Sequence, residues 1–402
     1  MTEAPRLAPR AWKDLCARLA ELGDEVLGED YATSDGLEMV QHIADQTANW
    51  ISWFVFHADP TRPFWHRQQD VVGRYGGPNA DNSYRHVRLD PSLRYRVAGN
   101  MHSCEDWLLT LRSAFMFQSG TTLADYTASE MGFHPGRDFE FVLGRDGLEI
   151  PEGVIMGTVR EYYIDWQQRE PAVFTIECLD APEQSIKLTD ELLAERIRTA
   201  QLAIEHSVVY WNQYLEGVRA ARPPNQFAPS HRGAKGLDLA QYLFCHWDLA
   251  PGESLVVESD VPVARYWSFQ LYPLGTFEHL DLLDRVSSLN HTQVALEDDG
   301  RVRVVVGAAD PGMPNWLDTG GRSRGLLIYR WFWPAQPDAD PPAPTTRTVP
   351  TAALAGPLLP EERRATLKSR RQNLAWRFRE EARLSREAGA GAATGSWPRA
   401  RP

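Results

Sequence analysis

DGRVRVVVGAADPGMPNWLDTGGRSRGLLIYRWFWP, residues 299–334, decides the fold. Asp299-Gly300 readily takes the positive φ angles of a tight primed turn, so the residues on either side read as a hairpin. Arg301 to Val306 then alternates into a β-branched strand, DPGMPNWLDTGG is turn chemistry, and Leu326 to Trp333 is a second strand rich in aromatic and branched side chains. A loop of this kind between two strands belongs at the end of a sandwich, where a rigid scaffold presents binding groups.

Working outward, the same grammar predicts strands at Gln241 to His246, Glu253 to Ser259, Tyr266 to Leu271 and Thr292 to Leu296. Before them, Thr189 opens a long helix with Leu193, Ile197, Ala200, Ile204, Val208, Trp211 and Leu215 on one face, stopped by Arg222-Pro223-Pro224. Earlier still, Ser83 to Leu89, Tyr95 to Ala98, Phe139 to Leu143, Gly153 to Tyr163 and Ala172 to Cys178 read as strands, with a helix expected near Cys104 to Phe117. Two amphipathic helices open the chain. The first carries Trp12, Leu15, Leu19, Leu22 and Val26; the second starts after Ser34 or Asp35 and carries Leu37, Val40, Ile43, Ile51 and Phe54. Residues 334 to 360 read as an extended strap, Pro360 to about Ala388 as a last helix, and the tail GAGAATGSWPRARP as disordered.

The expectation is an α+β, β-dominated protein: two jelly-roll-like β-sandwich units with N-terminal, connecting and C-terminal helices. The segments are 1–70 for the first helices, 71–188 for one β-rich unit, 189–222 for the connecting helix, 223–345 for the second unit and 346–402 for strap, helix and tail.

Composition bounds function. Of 402 residues, 43% are hydrophobic and 24% charged, the balance of a chain able to bury a core. Lys plus Arg is 42 against 54 Asp plus Glu, a net charge of −12 that repels phosphate backbones, so nucleic acid is not an expected partner. No apolar run approaches the roughly 20 residues that cross a bilayer, and the N-terminus lacks a signal-peptide core, so a cytoplasmic protein with no membrane partner is expected. Four dispersed cysteines, Cys16, Cys104, Cys178 and Cys245, fit reduced thiols rather than a disulfide frame. Phosphate-binding glycine loops are not seen, and no cofactor is expected. The partner expected is a small-molecule ligand, with a homo-oligomer left open.

The runs GGPNADNSYRHVRLDPSLRYRVAGN (Gly76 to Asn100), DGRVRVVVGAADPGMPNWLDTGG (Asp299 to Gly321) and LLIYRWFWP resemble the bacterial domain-of-unknown-function family 1214, over most of residues 70 to 380. The resemblance implies a jelly-roll sandwich whose C-terminal sheet carries the NWLD loop. It implies no activity, so site residues are read from chemistry.

On that chemistry, Asp318 or Asp310 is the acid–base candidate, Arg330 the anchor for an anion or carbonyl, and Asn315, Trp316, Tyr84, Asp81 and Trp331 the substrate-binding set. The expected site is a cleft lined by the NWLD and PNADN loops of a small-molecule enzyme. The bland alternative has Asp310 and Asn315 satisfying backbone donors in a turn and Trp316 filling the core. A noncatalytic module for sugars or apolar metabolites instead needs Trp331 and Trp333 on an open face. An Fe(II)/2-oxoglutarate-type oxygenase needs His246, Asp248 and His291 to converge, although His279-Leu280-Asp281 offers the same HxD pattern. Gly321-Arg322-Ser323-Arg324-Gly325 matches the nucleophile-elbow letters, but a strand rather than a helix is expected to follow Ser323.

Overall fold

The computed structural model describes residues 6–28, 36–68, 73–115, 117–118, 120–184, 186–229, 231–233, 237–282, 284–335, 342–354, 368–377 and 379. Helices α1 (Leu7–Val26) and α2 (Gly36–Ile51) come first, α2 running into a π-helical turn at Ser52–Phe56. Then come strands β1 (His66–Gln68), β2 (Asn82–Arg88), β3 (Tyr95–Asn100), β4 (Asp106–Arg112), β5 (Thr122–Thr127), β6 (Asp138–Leu143), β7 (Met156–Tyr162) and β8 (Val173–Cys178). Helices α3 (Asp190–Glu205) and α4 (Trp211–Ala220) are joined through a second π turn, His206–Tyr210. The later strands are β9 (His231–Gly233), β10 (Leu237–Asp248), β11 (Glu253–Ser259), β12 (Ala264–Tyr272), β13 (Ser288–Asn290), β14 (Val302–Gly307), β15 (Trp316–Asp318), β16 (Arg324–Pro334) and β17 (Thr345–Pro350).

The chain divides into two compact units. One comprises residues 1–55, 73–81 and 188–375; the other comprises 56–72, 82–187 and 376–402. Each is a β-sandwich. In the second-named unit, sheet β1-β2-β7-β4-β5 faces sheet β6-β3-β8, and Val87, Trp107, Leu109 and Val159 of one sheet meet Tyr95, Val97, Phe139 and Phe174 of the other. In the first-named unit, sheet β13-β12-β16-β10-β9 faces sheet β15-β14-β11-β17. Its core takes Trp247, Trp267, Phe269, Tyr329 and Trp331 from one sheet and Leu255, Val257, Val304 and Val306 from the other. Side chains from the two inner faces interdigitate in this way to form the core of a sandwich.

The helices belong to the first-named unit. Thr189 caps α3 by accepting a hydrogen bond from the Leu192 N–H, and the Asp190 carboxylate accepts from the Leu7 and Ala8 amides at the start of α1. Trp50 of α2 donates to Ser207 Oγ in the second π turn at 2.8 Å. The expected single helix from Thr189 onward is therefore interrupted at 206–210, where Ser207 Oγ also donates to the Ala203 carbonyl.

Several expectations are corrected. Residues 106–112 form strand β4, not a helix: WLLTL is apolar without a period, and every residue of β4 is buried between β7 and β5, where a strand and a buried helix leave the same signature. Residues 292–296 form no strand; Ser288–Asn290 does instead, and the chain turns at Asp299-Gly300 with positive φ at Gly300 alone, +80°, not the primed turn expected, leaving a single bridge between Leu296 and Val302. Part of the expected strap is strand β17, paired along β11. The helical stripes hold in part, with Leu15, Leu22, Val26, Ile43 and Phe54 buried as expected. Trp12, Leu37 and Val40 are exposed, and α2 buries Met39, His42, Ile43, Gln46 and Trp50. The capping residues Ser34 and Asp35, most of the last helix and the C-terminal tail lie outside the described residues; within that helix, 368–377 is helical. The cysteines are all free, three buried and Cys16 exposed.

Candidate functional site

Strands β12 and β16 alternate strictly. Trp267, Phe269, Leu271, Leu327, Tyr329 and Trp331 point into the sandwich core, which sends Tyr266, Ser268, Gln270, Tyr272, Arg330 and Phe332 to the outer face of the same sheet. Register aligns Asn290, Ser268, Arg330 and Tyr242 in one row across β13, β12, β16 and β10. An amide, a hydroxyl, a guanidinium and a phenol thus stand side by side, the first three buried and Tyr242 partly exposed at the end of the row.

The segment Gly76 to Asp81 lies over that face because two glycines let it. Gly76 and Gly77 have φ of +69° and +66°, and a Cβ on Gly77 would sit 2.4 Å from the Phe277 ring. With the Gly77 N–H donating to the Phe277 carbonyl, the turn presents Asn79 and Asp81 to the sheet. Both are almost fully buried.

A single hydrogen-bonded network results. The Tyr266 hydroxyl lies 2.6 Å from Asp81 Oδ2, 2.8 Å from Asn79 Oδ1 and 2.8 Å from Ser268 Oγ. The other Asp81 oxygen accepts from Asn290 Nδ2 at 2.9 Å. Gln270 donates to Asn79 Oδ1 and Ser268 Oγ, and its carbonyl oxygen accepts from the Ala80 N–H. Arg330 donates to the Tyr272 hydroxyl and to the Gly77 carbonyl, its guanidinium 5.5 Å from the ring centroids of both Tyr242 and Tyr272. Burial, followed by the negative charge of Asp81, holds the Tyr266 phenol well above its ordinary pKa, so it stays protonated. At the edge of the network stands His291, half-buried, its ring 6.1 Å from that of Tyr266. Burial lowers its pKa against the opposing pull of Asp81, leaving a neutral imidazole near pH 7. Its Nδ1 is buried without a hydrogen-bond partner among the described residues.

The residues expected from sequence divide sharply. Asp81 and Arg330 come together in this network. Asp318 and Asp310 do not join them: Asp318 accepts from Arg285 and the Gly320 N–H, and Asp310 from Arg370 and the Gly312 N–H. The NWLD strand β15 is in the opposite sheet of the sandwich, so a core layer about 10 Å thick separates it from the outer face of β12. Asn315 is committed to main chain, bonding the Ala295 N–H and the Ala295 and Arg303 carbonyls. Trp316 donates to the Gly307 carbonyl beneath the Arg370 guanidinium. Trp331 is 2% exposed and sits in the core rather than on an open ligand platform. Tyr84 lies on β2 opposite Arg160, in the other unit.

The iron arrangement does not assemble. His246 pairs with Leu326 on β16, whereas His291 donates its N–H to Trp267, which pairs with Trp331, two strands across and five residues along. Asp248 is opposite Arg324 at the sheet end. Among the described residues no group of three His, Cys, Asp or Glu could hold a metal ion. Ser323 leads directly into β16, not into a helix.

Tyr266, Ser268, Gln270, Tyr272 and Asn290 were not expected in a site. Their signal was nonetheless present in YWSFQLY, where every second residue is polar although all seven are buried.

The fold and the network define a double β-sandwich protein with a buried polar cluster on the outside of its C-terminal sheet. Residues 251–336, which carry β11 to β16, match the family model described as "Protein of unknown function (DUF1214)". The Gly76 to Asn100 run lies outside the matched stretch. Among solved structures, an uncharacterized protein from Burkholderia cenocepacia is similar at 25% identity and a TM-score of 0.77, covering 86% of this chain and 98% of that one. A Vibrio parahaemolyticus protein aligns at 12% identity over 77% of this chain and 97% of its own, with a TM-score of 0.42. No curated protein matches the chain.

Proposed function

We propose that the protein is a small-molecule enzyme whose acid–base centre is Tyr266, Asp81 and His291, with Arg330 anchoring a carbonyl or carboxylate oxygen of the substrate. The observation that supports it is the burial of a carboxylate, two phenols, a guanidinium and three amides on a sheet face where apolar side chains would pack at lower desolvation cost. In this reading Asp81 orients Tyr266 and keeps it protonated as the acid. His291, neutral and at the edge, is the base. Arg330, braced between two tyrosine rings, holds the substrate oxygen by charge-assisted hydrogen bonds.

The test is a panel of small hydroxy, keto and amino acids screened by thermal shift and then by NMR for turnover. A ligand of the native state must raise the apparent stability. With the compound found, Tyr266→Phe is expected to lower turnover by about 100-fold or more while leaving the shift in place. Arg330→Lys is expected to weaken the shift. Turnover that survives Tyr266→Phe intact would remove this centre from the reaction.

A further inference from the structure

The apolar part of the same sheet face carries a second feature. Helix α4 packs Leu215 on Phe244, Leu326 and Ile328. Past Ala220 the helix ends, and the chain turns away through Arg222 and Pro223. Where cover is lost, a pocket of about 230 Å³ remains, bounded by Tyr214 and Val218 of α4, Phe244 and His246 of β10, and Arg222 and Ala228 of the connecting turn.

Size and chemistry limit what fits there. An apolar cavity of about 150 Å³ is enough for benzene, so this one has room for a ring and a small head group. Tyr214 and Phe244 meet edge to face with centroids 6.4 Å apart and planes at 89°, a corner whose two walls suit a flat aromatic body. The polar side has a positive bias. Arg222 is exposed, donates to the Phe227 carbonyl at 3.3 Å and forms no ion pair among the described residues. His246 is half-buried, and burial followed by the charge of Arg219 lowers its pKa, so it offers a neutral ring nitrogen. Of the neighbouring charges, Arg219 is paired to Glu216, while Asp248 is exposed at the end of β10.

We infer that this pocket binds a small aromatic carboxylate, its ring in the Tyr214–Phe244 corner and its carboxylate on Arg222 and the His246 ring. The proposal is independent of the acid–base centre, since none of the pocket residues belongs to the Asp81 network.

Calorimetric titration of the full chain with benzoate, and with benzyl alcohol as the uncharged counterpart, tests it. Benzoate is expected to saturate one site per chain. Arg222→Ala, a surface change, is expected to weaken benzoate by about tenfold and to leave benzyl alcohol unchanged, because only a charge-assisted bond is removed. Val218→Trp, which fills the pocket, is expected to abolish both. Asp81→Asn is expected to leave benzoate binding intact. Absence of saturable binding, or binding indifferent to Arg222→Ala and Val218→Trp, overturns the proposal. Loss of binding in Asp81→Asn alone also overturns it, by moving the ligand to the polar network.

Discussion

Asn315 and Asp81 are both buried polar side chains carried by turn-rich loops. The structure gives them opposite surroundings. All three bonds of the Asn315 amide go to the main chain of residues 295 and 303, tying the β14–β15 connection to the strand before it. Asp81 bonds side chains from β12 and β13. The consequence can be measured. Asn315→Ala leaves a buried N–H and two carbonyls without their partner and is expected to destabilise the protein by about 1–3 kcal/mol in urea unfolding, with no effect on ligands of the Asp81 network. An unchanged midpoint would mean that water replaces the amide at no cost. From sequence the two cases were inseparable, because both residue types favour turns by bonding their own backbone. Each also follows a glycine of positive φ, Gly77 for Asp81 and Gly312 for Asn315, so only the packing of the folded chain separates them.

At the scale of the element, alternation was the readable signal and burial on both faces its blind spot. Strand β11 has the predicted bounds, Glu253–Ser259, and β2, β3, β6, β7, β8, β12, β14 and β16 have the expected cores, since their branched and aromatic runs end at Gly, Pro or Asp. Strand β4 was misread because its leucine-rich run fits a buried helix as well as a strand, whereas β7, equally buried, carries the branched Thr158 and Val159. The three-residue strands β1, β9, β13 and β15 are too short for any period to register. The GRSRG motif shows what its second glycine is for. Gly325 pairs with Trp247 across β16 and β10, and a Cβ there would lie 2.1 Å from the indole. Gly325→Ala must displace a fully buried tryptophan and is expected to cost about 1–3 kcal/mol, with a changed Trp fluorescence spectrum in the folded state. Ser323→Ala touches no such contact and is expected to leave stability and spectrum as they are. A hydrolase elbow would show the reverse ranking, with the serine decisive.

Over the whole molecule, the two sandwiches are expected to differ in their response to acid. In the unit holding β1 and β2, His66 stands opposite His86. Burial, then the neighbouring charge of His57, lowers the His66 pKa to about 4, and burial together with His66, Arg160 and Arg112 lowers His86 well below its ordinary value. A histidine whose folded pKa is depressed takes up its proton sooner in the unfolded chain. The stability it contributes is therefore full above about pH 6.5 and is lost as pH falls toward 4, about 3 kcal/mol for His66 alone. Carboxylates act lower: Asp180, held by Arg94 at about 2, loses its contribution only below the ordinary carboxylate range. The other unit also holds half-buried histidines whose pKa burial lowers, His246 and His291, but sets against them an opposing group in buried His42. Although burial lowers its pKa, the ion pair with Glu278 prevails and raises it, so His42 favours folding on the acid side of neutrality and loses that effect as pH rises. Acid should therefore open the β1–β2 sandwich first. Hydrogen exchange followed by mass spectrometry at pH values from about 7 down to about 4.5, corrected for intrinsic exchange, should show protection falling in residues 82–112 and 156–178 before it falls in 253–272. His66→Gln removes one of the two histidines and should flatten the acid limb of urea midpoints between pH 6.5 and 4 without moving the limb below it. Parallel acid limbs in the parent and the variant would show that His66 titrates in the folded protein as it does in the unfolded chain, and that the asymmetry between the sandwiches has another origin.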